Sequence, residues 1–249
     1  MTDDTNIGGR GSGFPATRWS AVLAACSSNT VERARGLEAI AAAYWKPVYK
    51  YIRIRWGKSN EDAKDLTQEF FARLLEKDYL EKYDPARARL RTYLRTCVDG
   101  VVANEERSMR RIKRGGQAVL LSFDFNAAEN EFAALAPPGT ESPEEFFEKE
   151  WVRSVFALAV ERLRRECDQR NRAQHFRLFE LYDLESGKER RTYEELAREF
   201  RLSVTDATNY LSLMRREFRC ILLDLVREMT ASEEEFRREA RALFGVDPE

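Results

Sequence analysis

One histidine, His175, occurs in 249 residues. That scarcity leaves little for imidazole acid–base chemistry or for the commonest metal ligand. His175 sits among phenylalanines in a helical pattern and reads as an ordinary surface or core histidine. The four cysteines, Cys26, Cys97, Cys167 and Cys220, are far apart and form no Cys-x-x-Cys pair. They read as reduced, small core residues, with no zinc or dithiol motif. No Gly-rich phosphate loop and no Ser/His/Asp arrangement is present. The expectation is a protein without catalysis, cofactor or metal site. No stretch approaches the 18 or so apolar residues of a membrane span, and no leader pattern is visible, so a cytoplasmic, membrane-independent protein is expected. Seven prolines and twelve glycines are few for this length.

What is abundant is charge at helical spacing. Asp, Glu, Lys and Arg make up 34% of the chain. Runs rich in Ala, Leu, Glu and Arg with a 3.6-residue period predict an all-α protein. Charge is segregated: residues 1–118 hold 22 Lys/Arg against 15 Asp/Glu, and residues 119–150 hold one base against eight acids. A near-neutral total therefore does not exclude a polyanion partner, because the local field decides.

The pattern divides the chain into a polar tail (1–16), a helical domain (17–116), an acidic linker (117–150), a second helical domain (151–228) and a helical C-terminal extension (229–249). Thr17 is expected to cap a helix from Arg18 to about Cys26, with Trp19, Val22 and Leu23 inward. A second helix starts near Thr30, is kinked or restarted at Trp45–Lys46 by Pro47, and stops at Gly57. Glu61–Leu75 forms the most informative stretch. Ala63, Leu66, Phe70 and Leu74 give an apolar face, Asp62, Asp65 and Glu69 line another, and Phe71 lies off the apolar face beside the acids. Ser59 or Asn60 caps its start. Residues 87–114 follow with nine Arg/Lys and three acids, an apolar stripe (Leu90, Leu94, Val98, Val101, Val102) and a break near Gly100. After the linker come helices at 151–169 and 173–184. A capping-box helix follows from Thr192, then a short turn at Arg201–Leu202 and a helix from Ser203 to about Glu228. Ser232 caps a last helix carrying Phe236, Ala240 and Leu243.

Two constellations suggest nucleic acid. Residues 192–218 have the form of a helix-turn-helix whose second helix exposes Thr205, Thr208, Asn209, Ser212, Arg215 and Arg216. The basic, aromatic-containing run at 87–114 suits phosphates and unstacked bases. An ordinary αα-hairpin and a solvated basic helix remain the alternatives for each, and a solubilising tether for the acidic linker.

The order of these segments resembles a known family. DAKDLTQEFFARLL resembles region 2.2 of bacterial sigma factors, AIAAAYWKPVYKYIR region 2.1, and FARLLEKDYLEKYDPARARLRTYLRTCVDGVVANEERSMRRIKRGG the end of region 2.2 running into regions 2.3 and 2.4. TYEELAREFRLSVTDATNYLSLMRREFRCILL resembles region 4. The layout without region 3 resembles the extracytoplasmic-function (ECF) group of the sigma-70 family. TRWS and the extension TASEEEFRREARALFG resemble a longer sub-group. Lys64, Tyr93 and Gly100 depart from the family pattern, which commonly has an acid, Trp and Asn there.

The resemblance implies two helical domains, region 2 and region 4, joined by an acidic linker. It implies core RNA polymerase (β′ clamp helices and β flap) and promoter DNA as partners, with an anti-sigma factor or kinase as a further one. Asp62, Asp65, Gln68, Glu69, Phe71 and Arg73 match polymerase-docking positions. Arg91, Tyr93, Arg95 and the loop around Val98–Asn104, with Asp99 and Asn104, match the part that melts and reads the −10 element. Arg107, Arg110, Arg111, Lys113 and Arg114 match positions that hold the DNA backbone there. Thr205, Thr208, Asn209, Ser212, Arg215 and Arg216 match the −35 reading helix. The linker would thread toward the polymerase active-site cleft and RNA exit channel. The implied function is promoter recognition and opening; a stand-alone helix-turn-helix regulator and a sigma-like polymerase adaptor are the alternatives.

Overall fold

The computed structural model describes residues 20–76, 79–108, 123–134, 141–185 and 191–245. Among these residues the structure is all-α, with no strand. The expected Arg110, Arg111, Lys113 and Arg114 contacts, and Thr17 and Trp19, lie outside the described residues.

Helix α1 (Ala21–Ala25) is capped by Ser20, whose Oγ accepts from the Leu23 N–H. It is shorter than expected, and Leu23 faces solvent rather than the core. Helix α2 (Thr30–Arg55) runs unbroken through Pro47. The expected restart at Trp45–Lys46 is therefore corrected. An interior proline costs about 3 kcal/mol, but Ile40, Tyr44, Val48, Tyr49, Tyr51 and Ile52 are all buried on this helix. Burying each such side chain contributes about 1.5–3 kcal/mol, so packing outweighs the local defect. Gly57 follows at φ +57°, a left-handed stop that suits glycine.

Helix α3 (Asn60–Glu76) is capped by Ser59, which accepts from the Asp62 N–H. A 3₁₀ turn at Leu80–Lys82 leads to α4 (Leu90–Ser108). That helix passes through Gly100 without interruption, correcting the expected break and the loop at Val98–Asn104. Val98, Val101 and Val102 are buried on both sides of the glycine and hold the helix to α3 and the core.

The acidic tract is more structured than a linker. It contains α5 (Phe125–Ala133), capped by Asp124. Phe123 stacks on Trp45 (5.1 Å, 9°) and meets Phe71 edge-on at 5.4 Å, while Phe125 packs on Trp45 and Tyr49. Its glutamates neutralise α2: Glu131 pairs with Lys46 (2.6 Å) and Lys50 (2.9 Å), and Glu129 with Arg53 (3.0 Å).

Helix α6 (Pro143–Gln169) begins eight residues before the expected 151, with a Ser142–Glu145 capping box and proline at its first position. Its first half lies on α2, where Trp151 stacks near Tyr44 and Phe147 meets Tyr51 edge-on. Its second half meets α7 (Ala173–Phe179) and α9 (Val204–Glu228), with Cys167 Sγ 3.6 Å from Met214 Sδ. Buried apolar side chains thus form a continuous cluster from Ala21 to Ala240 rather than two cores. Of the four cysteines only Cys167 is a core residue; Cys97 is half-buried, and Cys26 and Cys220 are exposed. A π-helical turn (Glu180–Leu184) follows α7. Helix α8 (Tyr193–Phe200) is joined to α9 by a short turn at 201–203, and α10 (Glu233–Phe244) follows.

Candidate functional site

The α3 face is set by its apolar side. Ala63, Leu66, Phe70 and Leu74 are buried, which turns Asp62 and Asp65 fully outward and leaves Gln68, Glu69 and Arg73 half-buried at the edge. Asp62 accepts from Ser59 Oγ at 2.8 Å, Glu69 pairs with Arg73, and Lys64 pairs with Glu61 at 3.0 Å. Lys64 is thus part of a local ion pair beside the acidic row. Phe71 differs from its expected place. It is 1% exposed, covered by Phe70 and Phe123, so it supports the face from below and cannot touch a partner in this arrangement.

The predicted −10 residues on α4 separate into two groups. Arg95 is half-buried, and Asn104 and Arg107 are exposed; neither arginine makes an ion pair with another described residue. The others are committed. Asp99 accepts from Trp56 Nε1 (2.9 Å) and Tyr51 Oη (3.1 Å), which fixes α4 to the end of α2. Burial, followed by Asp99, pushes the Tyr51 hydroxyl well above its ordinary value, so it remains a donor. Tyr93 donates to the Tyr79 carbonyl at 2.5 Å and leans on Tyr83 at 5.4 Å. Arg91, expected on the nucleic-acid surface, is 4% exposed. Its guanidinium lies over Trp151 at 4.6 Å and pairs with Glu148 of α6 and Glu239 of α10. Two elements outside the basic run therefore hide it.

The α8–turn–α9 segment is built as its capping residues dictate. The Thr192–Glu195 capping box opens α8. Arg201, at φ +55°, ends it, with the Leu202 N–H closing on the Ala197 carbonyl at 2.8 Å. Ser203 caps α9. Leu196, Ala197, Ala207, Leu211 and Met214 are buried at the junction. Thr205, Asn209, Ser212 and Arg216 are exposed as expected. Thr208 is not fully available, because its hydroxyl returns to the Thr205 carbonyl at 2.8 Å. Arg215 is held bidentately by Asp183 (3.0 Å at both nitrogens) and lies over Tyr182 at 5.3 Å.

His175 stacks on Tyr210 at 3.8 Å, with its basicity lowered by burial and by Arg172. Among the described residues no His, Cys, Asp or Glu cluster is arranged to hold a metal ion, and no helix is long and apolar enough to cross a membrane.

An acidic outer row on α3 is followed in the chain by α4, which carries three arginines and three acids, with Arg87 and Arg89 just before it. The comparison with known families falls on that segment. Residues 41–112 match the family model of Sigma-70 region 2. The match covers less than a third of the chain and supports a segment like region 2 of sigma-70 proteins, which act in transcription initiation. No curated protein and no solved structure matches the chain. The region 2 match contains the acidic row of α3 and all of α4, while α8, α9 and α10 lie beyond it. Sequence reasoning missed Glu148, Glu150, Glu235 and Glu239, the carboxylates that face region 2. One signal was present: Glu235 and Glu239 are four residues apart and adjoin Phe236 and Ala240, so they lie close to the apolar stripe of α10.

Proposed function

We propose that this chain is a sigma factor of the ECF group that docks core RNA polymerase through α3, reads and opens the −10 element through α4, and reads the −35 element through α9. The observation that carries this reading is the region 2 match lying on a helix whose Asp62, Asp65 and Glu69 share an outer face. Asp62 and Asp65 would provide charge for a basic or amide-rich partner helix, with Gln68, Glu69 and Arg73 at its rim. Arg95, Asn104 and Arg107 would meet the melted strand and its phosphates, together with Arg110, Arg111, Lys113 and Arg114. Thr205, Asn209, Ser212 and Arg216 would face the −35 groove, where Asn suits adenine and Arg suits guanine or phosphate.

Asp65→Lys or Glu69→Lys should abolish capture by core polymerase while leaving helix content and melting unchanged. Capture equal to wild type would overturn the docking assignment. Run-off transcription with core enzyme on genomic DNA distinguishes the alternatives. A stand-alone regulator would shift DNA without polymerase and yield no transcript, and an adaptor would bind polymerase without starting transcription.

A further inference from the structure

Helix α10 lies outside the region 2 match, yet its carboxylates are aimed at the start of α4. Glu239 is 3% exposed. One of its oxygens pairs with Arg91 Nη1, and the other stands 3.1 Å from Arg89 Nε. One turn earlier, Glu235 accepts from the Tyr83 hydroxyl and from the Ala231 N–H at 2.8 Å. Arg238 donates to the Pro85 carbonyl at 3.1 Å. Three residues of α10, Glu235, Arg238 and Glu239, therefore make four polar contacts to the 83–91 stretch. Beneath them Phe236 and Ala240 are fully buried.

The chemistry of this junction is that of an anion site already filled. One Glu239 oxygen accepts from Arg91, which Glu148 shares, and the other stands at ion-pair distance from Arg89 without accepting a hydrogen bond. A phosphodiester also presents two charged oxygens on one centre, and guanidinium forks suit both. A helix retained only for packing would be served as well by apolar side chains at these positions, since buried ion pairs are costly to desolvate and apolar replacements are often neutral or stabilising. Arg89 keeps its side chain 38% exposed, so one edge of the pair is open to solvent. A small cavity bounded by Tyr44, Arg91, Trp151, Glu235 and Glu239 leaves the network incompletely filled.

We infer that Arg89 and Arg91 form a phosphate site for promoter DNA on region 2, and that Glu239 of α10 occupies it in the free chain, so that the C-terminal extension competes with DNA until displaced. This rests on the sigma reading above. The occupant is part of the chain, so its effective concentration is high and DNA binding without polymerase is weak. Polymerase docking at α3 leaves the Arg89–Arg91 site for the DNA that the enzyme presents.

The test uses the full chain without polymerase and a fluorescein-labelled duplex with a single-stranded bubble, followed by anisotropy. Glu239→Gln keeps the volume, removes the charge and turns an amide N–H₂ toward one arginine. It should bind the probe at least ~10-fold more tightly than wild type. Its log-affinity against log-salt slope should steepen by about one to two units, near 0.9 per phosphate gained. Arg89→Gln in the Glu239→Gln background should cancel the gain, and Glu234→Gln, an exposed neighbour, should leave affinity at the wild-type level. A Glu239→Gln protein that melts cooperatively but binds no more tightly, or whose gain survives Arg89→Gln, overturns the proposal. Should that variant fail to melt cooperatively, hydrogen exchange on wild type decides. Saturating probe should accelerate exchange across Glu233–Phe244, and unchanged exchange overturns the proposal. Run-off transcription by wild type with core enzyme tests the sigma reading separately: its failure removes that reading, whereas a missing gain in Glu239→Gln with run-off intact removes only the role of α10.

Discussion

Gly36 and Gly100 are both interior helical glycines, and alanine at each should move stability in opposite directions. Alanine gains about 1 kcal/mol of helix propensity at either position. At Gly100, a Cβ meets nothing within 4 Å, so about 0.5–1 kcal/mol of net stabilisation is expected. At Gly36, a Cβ would stand 2.5 Å from the Ala25 nitrogen, 2.6 Å from the Ala21 oxygen and 2.9 Å from the Ala24 carbonyl carbon. These are backbone atoms and cannot swing aside, so α1 must shift as a whole. Overpacking of this kind costs about 1–3 kcal/mol. Shifting α1 also loosens Val22, whose burial is worth about 1.5–3 kcal/mol. After the propensity gain, Gly36→Ala should destabilise by about 2 kcal/mol. Urea titration followed by circular dichroism reads both. With a slope of about 2–3 kcal/mol/M, the midpoint should fall by about 0.7–1 M for Gly36→Ala and rise by about 0.2–0.5 M for Gly100→Ala. Midpoints moving the same way would refute the close approach of α1 to α2 or the continuity of α4.

Glu150→Ala leaves Lys50, 4% exposed, with only its Glu131 partner and should cost about 3 kcal/mol. Glu131→Ala removes a carboxylate 45% exposed and should cost less than about 1 kcal/mol; the reverse order of melting temperatures would sink the burial argument. Phe123→Ala should lose about 1–3 kcal/mol and red-shift tryptophan emission, because it uncovers Trp45 and Phe71. Unchanged emission would place the ring elsewhere. His175 has its pKa lowered in the folded chain, so the unfolded chain binds the extra proton more readily. Its contribution is complete above the unfolded value of about 6.5 and is lost as pH falls. His175→Phe should therefore lose less stability than wild type between about pH 7 and pH 5, and identical slopes would refute the assignment.

Local rules were legible where one side chain decides the backbone. Ser59, Thr192, Ser203 and Ser232 each cap the helix expected of them, and Gly57 ends α2. The acidic row on α3 was legible from period alone, because Leu66, Phe70 and Leu74 can be buried in only one way. What was not legible depends on partners distant in sequence. Pro47 and Gly100 are helix-weakening residues, yet neither interrupts its helix, since both helices are held by buried neighbours. Phe71 reads as a surface aromatic until Phe123, some fifty residues later, covers it.

Composition, period and capping residues were enough to determine the all-α class, the two capped helices joined by a short turn at 201–203, and the acidic row on α3. Those features are local, and their signals lie within a few turns. Tertiary structure alone decided which charges are available. Glu129 and Glu131 neutralise α2, Asp183 takes Arg215, and Glu148 with Glu239 takes Arg91, across separations of 32 to 148 residues. An arginine looks the same in sequence whether it faces water or two carboxylates. Its function is decided by what the fold brings against it, because charge acts through space at a few ångströms and not along the chain.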